Sequence, residues 1–213
     1  MPDADAAGSC DPTGRGSGRD TAGADYAERL QRLAGARWKQ VLDVQRPYRW
    51  NLHRLELGRC LDIGCGIGRN LAGLAPGSVG VDHNADAIAV CRERGLTAYT
   101  TEDLAARDDI APGSFDALLL AHVLEHVDAD VGDAILRDYL PYLRPHGRVV
   151  LITPQEVGMA SDPTHIRWVD HAAAMGHLNR LGLVVEKAYS FPLPRVAGRV
   201  FRYNEFVTVA HLP

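Results

Sequence analysis

The stretch LDIGCGIGRNL, residues 61–71, runs from an apolar segment into three closely spaced glycines and then into residues of helical character. Gly64, Gly66 and Gly68 allow a sharp turn and a close backbone approach to a ligand. A helix starting there offers unpaired N–H groups. Tight turns use glycine for their own sake, so the loop alone does not decide the fold. The next segment decides it. SVGVD, residues 78–82, is a second apolar strand. It ends in an acid, Asp82, about 20 residues beyond Asp62, where a carboxylate suits a ribose diol.

On either side of this unit, apolar strands alternate with amphipathic helices. RCLDI (59–63) reads as a buried strand and RNLAGLA as the start of a helix. NADAIAVCRERG reads as a helix with Asn84 as N-cap and Gly95 as its stop. LTAYT (96–100) and FDALLLA (115–121) are further strands, followed by a helix from Ala129 to Leu143 and a fifth strand, GRVVLITP (147–154). This alternation predicts a parallel sheet with right-handed crossovers. After a helix over His171–Leu181, LVVEKAYSF and YNEFVTVAHL read as two long strands. About a dozen residues join them, too few for a helical crossover, so the pair should be antiparallel.

Residues 1–23 are small and polar, cannot offset their own ordering entropy, and are expected to be a disordered tail. From Asp25, Tyr26, Leu30, Leu33, Trp38, Val41 and Leu42 recur at helical spacing, Pro47 should interrupt that helix, and YRWNLHRLEL should begin another. The expected organisation is a tail (1–23), a helical cap (24–57) and one domain (58–213). Over 213 residues the net charge is −4 without a basic block, which counts against a nucleic-acid partner. No stretch approaches the roughly 18 apolar residues of a membrane span, and nothing reads as a signal peptide. Cys10, Cys60, Cys65 and Cys91 form no CxxC pair and read as free thiols of a reducing cytoplasm.

The order of LDIGCGIGRNL, GVDHNADAI, TTEDL, FDALLLAHVLEHV and LRPHGRVVLITP resembles the class I S-adenosylmethionine-dependent methyltransferases over residues 55–213. A dinucleotide fold would instead show GxGxxG and repeat the unit. The resemblance implies an α/β, Rossmann-like, seven-stranded and mostly parallel sheet with an antiparallel last strand and helices on both faces. It implies S-adenosylmethionine as cofactor. Asp62, Gly64, Gly66 and Gly68 would hold its amino-acid end, Asp82 both ribose hydroxyls, and His83 would pack beside the adenine. Asp103, or its neighbour Glu102, would accept from the adenine amino group and Leu104 would lend a backbone N–H, while Ala121 would sit at the end of the fourth strand over the methyl group. Asp62 also has a purely structural reading as a buried turn acid, as Asp103 does as a helix cap.

HVLEHV (122–127) follows that fourth strand and should face the acceptor. His122, Glu125 and His126 stand at i, i+3 and i+4, one face of a helical turn. Three readings are open. A histidine fixes the loop, or it acts as general base, or the three residues hold a divalent metal such as magnesium with His165 from SDPTHIRW (161–168). The last arrangement resembles plant small-RNA 2′-O-methyltransferases and the metal-dependent O-methyltransferases of ubiquinone synthesis. Those families carry Glu where His122 stands, which puts His122 in doubt as a ligand. An alkyl hydroxyl needs help to attack at neutral pH, and a metal chelated by neighbouring hydroxyls would provide it. The expected acceptor is therefore a small-molecule hydroxyl, a sugar first. A quinone precursor or other aromatic without metal is the alternative, and an RNA 2′-hydroxyl a third. Tyr26, Trp38, Tyr48 and Trp50, the pair Arg167 and Trp168, and the loop 190–203 are candidate lid or acceptor contacts; that loop is equally a candidate contact in a homodimer.

Overall fold

The computed structural model describes residues 45–213. The expected tail, the helix from Asp25, Cys10, Tyr26 and Trp38 lie outside them. Pro47 sits in the first turn of α1 (Arg46–Arg54), where its missing N–H would have had no partner anyway; the helix it was expected to interrupt lies outside the described residues.

Seven strands form one sheet: β1 (Cys60–Ile63), β2 (Val79–Asp82), β3 (Ala98–Thr100), β4 (Phe115–Ala121), β5 (Leu143–Pro154), β6 (Val184–Phe191) and β7 (Glu205–His211). Their order is β3-β2-β1-β4-β5-β7-β6, with β7 antiparallel to both neighbours and the other pairings parallel. The expected antiparallel pair is therefore present. Helices α2 (Ala85–Glu93), α3 (Thr101–Ala105), α4 (Ala129–Tyr139), α5 (Glu156–Ala160) and α6 (His171–Arg180) fill the connections. Asn84 caps α2 as expected, accepting from the N–H groups of Asp86 at 2.9 Å and Ala87 at 3.1 Å.

The central strands are apolar on both faces because both are covered. Leu118 and Leu120 of β4 pack with Val149 and Leu151 of β5 against Leu136 of α4 and Leu178 of α6. Ala117, Leu119, Val150 and Ile152 face the other way, onto Leu52 and Leu55 around α1 and onto Val207 and Val209 of β7. Leu118, Leu119 and Leu120 are essentially inaccessible; truncating any of them to alanine would cost about 2–5 kcal/mol.

RNLAGLA does not make the expected helix. Only a 3-10 turn, Leu71–Gly73, lies between β1 and β2. Pro76 cannot continue a helix, and the backbone of Gly73 packs so closely on Arg49 that an added Cβ would lie 3.2 Å from its side chain. The glycine loop is consequently held by the sheet and not by a following helix.

Candidate active site

Parallel β1–β5 bring their carboxyl ends to one edge, and the chain switches direction between β1 and β4, the place where open α/β sheets bind ligands. The loops after these two strands touch: a Cβ on Gly64 would stand 2.5 Å from Val123 Cγ2. The glycine loop is pinned to β2. The N–H groups of Gly64 and Cys65 donate to Val81 O at 2.8 and 3.1 Å, and Gly66 N–H donates to Asp82 Oδ2 at 2.8 Å. Asp82 Oδ1 accepts from Asn84 N–H at 2.9 Å, with His83 Nδ1 at 3.3 Å. Gly66 has φ +51°, and an added Cβ there would meet nothing within 4 Å, so its backbone faces open space.

Asp62 lies in β1 fully buried, and its Oδ2 has no hydrogen-bond partner. Burial first, then the neighbouring Asp82, push its pKa up to about 7, against a backbone hydrogen bond from Leu71. Leaving a carboxylate oxygen orphaned there is costly unless a ligand donates to it. Further along the edge, Asp103 pairs with Arg92 at 3.0 Å and its N–H is capped by Thr100 Oγ1, so Thr100, not Asp103, is the cap of α3. Glu102 is exposed, and the Leu104 side chain lies in the core.

After β4, the expected turn is a 3-10 turn, Leu124–His126. The segment 161–168 is fastened onto it. Glu125 O accepts from the N–H groups of Ile166 at 2.9 Å and Arg167 at 3.1 Å. The Arg167 guanidinium donates to Val127 O and Leu124 O, both at 3.0 Å. Arg167 thus acts as a clamp on the turn, with two of its five N–H donors committed to it. Trp168 packs edge-on against Phe206.

This clamp brings Glu125, His126 and His165 together, with one ligand-capable atom of each within 4.8 Å of the others. The two rings are 4.8 Å apart. His126 Nδ1 faces Thr164 O at 3.2 Å and His165 Nδ1 faces Met159 O at 2.9 Å. Thr164 Oγ1 lies 3.1 Å from His126 Nδ1 as well, but its hydrogen goes to Asp162 Oδ1 at 2.7 Å; both Nδ1 atoms thus face acceptors and carry hydrogen, which leaves each Nε2 as the metal-capable atom. Glu125 is inaccessible and its Oε2 has no partner. Burial holds His126 below the ordinary imidazole pKa and outweighs the pull of Glu125, so the ring is neutral.

His122 is placed differently. It takes a left-handed backbone, φ +61°, just after β4. Its Nδ1 lies 3.1 Å from Glu125 Oε1 and its Nε2 2.9 Å from Glu205 Oε1. Burial works to lower its pKa, but the two carboxylates outweigh burial and raise it to about 10. Glu125 is in turn held below the usual carboxylate range: burial opposes this, and His122 prevails.

A cavity of about 310 Å³ opens between these groups and is lined by Tyr48, Asn51, Asn70, Ala121, His126, Asp162, His165, Tyr203 and Glu205 among others. Tyr48 closes one wall by donating to Tyr203 O at 2.5 Å. Trp50 instead stacks on Phe191, 6.2 Å away. Asp82, His83 and Asp103 lie outside this cavity, on the β2 and β3 side. Glu205 and Asn204 are site residues that sequence patterning does not reveal. Asn204 is fully buried and donates to Gln155 Oε1 at 2.9 Å, fixing the start of β7. Their signal is topological: in an antiparallel β7 the first residue, not the last, reaches the carboxyl edge, and Glu205 pairs with Pro154.

Residues 61–151 match a family model described as a methyltransferase domain. No curated protein sequence matches the chain. Among solved structures, a SAM-dependent methyltransferase from Archaeoglobus fulgidus aligns over 81% of this chain and 99% of its own, at 20% identity and a TM-score of 0.59. Magnesium protoporphyrin IX methyltransferase from Synechocystis PCC 6803, with bound S-adenosylhomocysteine, aligns over 92% and 98%, at 17% identity and a TM-score of 0.63. The N-methyltransferase NodS from Bradyrhizobium japonicum WM9 aligns over 79% and 96%, at 17% identity and a TM-score of 0.60. At these identities the structures share a fold with this chain, and the family match supplies the domain. Among the described residues no helix is long and apolar enough to cross a membrane. Residues 61–151 thus match a methyltransferase domain, and the seven-stranded sheet with its single reversed strand is the fold shared with the S-adenosylmethionine-dependent methyltransferases aligned above.

Proposed function

We propose that the enzyme methylates a hydroxyl of a small polyhydroxylated molecule, a sugar first, with a divalent metal held by Glu125, His126 and His165. One observation carries this reading: Glu125 Oε2 is buried without a partner beside two imidazoles whose Nδ1 hydrogens are already committed to carbonyls. Outer contacts of this kind orient the ligands of a metal. The lead-in RWKQVLDVQRPYRWNLHRL, of which residues 45–55 are described, resembles small actinobacterial methyltransferases; among these the 1-O-methyltransferase of mycobacterial methylmannose polysaccharide synthesis puts the 1-hydroxyl of a 3-O-methylmannoside first in the acceptor panel.

In this reading Asp62 and the 64–68 loop hold the amino-acid end of the cofactor and Asp82 its ribose. The acceptor oxygen, oriented by the cavity wall, attacks the sulfonium methyl; the C–S bond breaks and S-adenosylhomocysteine leaves. A bound divalent ion would supply Lewis acidity that eases loss of the hydroxyl proton, which passes to solvent water in the cavity. His122, held as an imidazolium between two carboxylates, serves as an anchor and not as a base. Neutral His126 supports a second reading, a metal-independent enzyme in which it takes the proton from a phenol. Exposed Val196 and Val200 support a contact between copies at the 190–203 loop, which sedimentation velocity tests.

Labelled cofactor, a panel of mono- and disaccharides and phenols, and magnesium or EDTA test the main proposal. Transfer to a sugar that EDTA abolishes is the expected result. Transfer to phenols alone, indifferent to EDTA, would replace it with the His126 reading.

A further inference from the structure

We infer that Cys65 and Cys91 form a reversible disulfide under peroxide, and that this bond lowers affinity for the S-adenosyl cofactor. The inference is independent of acceptor and metal. It rests on one element of the reading above, the cofactor's place at the glycine loop.

The two thiols come from different elements, Cys65 from the loop after β1 and Cys91 from the end of α2, and they meet at one atom. Cys91 Sγ donates to Gly66 O at 3.2 Å, and Cys65 Sγ lies 3.6 Å from the same oxygen. Glycines make the room for both sulfurs. An added Cβ on Gly80 would stand 2.7 Å from Cys65 Sγ, and one on Gly68 would stand 3.0 Å from Cys91 Sγ. Both thiols are free. Cys91 is inaccessible, whereas Cys65 keeps 8% of its surface exposed, next to Gly66, whose backbone faces open space. The Cys65 thiol also donates to the Cys91 sulfur. That bond, helped by Arg94, holds Cys91 below the ordinary thiol range against its burial, and it pushes Cys65 up. Cys91 is therefore the readier thiolate, and Cys65 the sulfur that an oxidant meets.

The Cys65 sulfur attacks one peroxide oxygen and the O–O bond breaks. A sulfenic acid forms, and the thiol proton leaves with the second oxygen as water. The Cys91 thiolate then attacks the Cys65 sulfur. The S–O bond breaks, and the departing hydroxide takes up the proton that Cys91 released. Two thiols are oxidised to one disulfide, and one peroxide is reduced to two waters. An S–S bond is about 2 Å long, so the loop must draw in on α2, and Gly66 O loses its thiol donor. The same peptide unit reaches the cofactor side, because Gly66 N–H donates to Asp82 Oδ2 at 2.8 Å. Moving Gly66 thus disturbs both the loop and the acid assigned to the cofactor's ribose. The coupling is reciprocal: if the disulfide weakens cofactor binding, bound cofactor opposes the disulfide.

The test needs neither acceptor nor turnover. Full-length protein carrying Cys10→Ser is treated with a small excess of hydrogen peroxide, alkylated, digested and mapped by mass spectrometry. Calorimetry reads its binding of S-adenosylhomocysteine before and after. The expected result is a peptide cross-linked between Cys65 and Cys91, an unchanged far-UV circular dichroism spectrum, and a dissociation constant at least tenfold higher that dithiothreitol restores. S-adenosylhomocysteine added before the peroxide should slow cross-linking at least fivefold. Cys91→Ser keeps a hydroxyl donor for Gly66 O, so it should bind like the reduced protein and ignore peroxide. Thiols that stay free or pass to sulfinic acid without a cross-link, a cross-link that leaves affinity within twofold, or a Cys91→Ser protein that loses binding in peroxide would each overturn the inference. The first two are read without the Cys91 substitution and stand even if that variant does not fold. Reduced protein that binds no S-adenosylhomocysteine would refute the cofactor's placement, and the inference with it, before any peroxide is added.

Discussion

Asp62→Asn removes the buried acid of β1. The carboxyl is inaccessible, one oxygen has no partner, and burial with Asp82 nearby raises its pKa from 3.8 to about 7. The raised value sets the sign. Asp62 favours the folded state in its protonated form, so its contribution is fully present below pH 4, falls as pH rises toward 7, and is constant above. A rise of that size is worth about 4 kcal/mol. Asp62→Asn should therefore be more stable than the wild type at pH 8, by about 2–4 kcal/mol, with the gap closing toward pH 5. Urea unfolding of both proteins at pH 5, 6, 7 and 8 reads this directly. Carboxylates held low, such as Asp133 beside Arg180, impose their own slope at lower pH but do so equally in both proteins. The same group predicts the cofactor's pH dependence. If the ionised carboxylate receives the cofactor's ammonium, its ionised fraction goes from roughly a tenth at pH 6 to roughly nine tenths at pH 8. Affinity for S-adenosylhomocysteine should then rise about tenfold more in the wild type than in Asp62→Asn. Parallel stability curves in the two proteins, or a variant less stable at pH 8, would refute the reasoning.

Gly64→Ala and Gly66→Ala should separate folding from binding. The first places a Cβ 2.5 Å from Val123 Cγ2 at φ +70° and should cost about 2–4 kcal/mol on thermal unfolding. The second adds only backbone strain of about 1–2 kcal/mol, yet should abolish calorimetric binding of S-adenosylhomocysteine because its Cβ enters the cofactor's space. Arg167→Met removes both hydrogen bonds to Val127 O and Leu124 O. It should destabilise the fold by roughly 2–3 kcal/mol and lower kcat at least tenfold, with cofactor affinity changed less than twofold.

Much of the architecture is legible in the sequence. The strands of the sheet stand out because β4 and β5 carry apolar residues on both faces, and only a covered parallel sheet tolerates that. Asn84 and Asp82 are legible because caps and strand-end acids depend on near neighbours. Glu125, His126 and His165 are legible as metal-capable side chains, but their orientation is not: Thr164 O and Met159 O are backbone groups that any residue supplies. The missing helix after the glycine loop reflects Pro76 and the tight approach of Gly73 to Arg49, where tertiary contact outweighs a helical pattern. Glu205 is invisible because its partner His122 lies 83 residues away, and only the strand pairing joins them. Arg167 looks like a surface contact in the sequence, yet its guanidinium donates to two turn carbonyls that need a donor.

The reversed direction of β7 separates the two halves of the enzyme's task. In the proposed reading the cofactor is held by β1–β3 and the turns after them, while Tyr203 to Glu205 reach the same rim from the opposite end of a strand. That segment can be lengthened, shortened or exchanged between relatives without shifting the register of any parallel strand. The 192–204 connection is thus a natural splice point: grafting it from another family member, with the segment 161–168 kept to hold the turn, is a route to new acceptors on an unchanged cofactor platform.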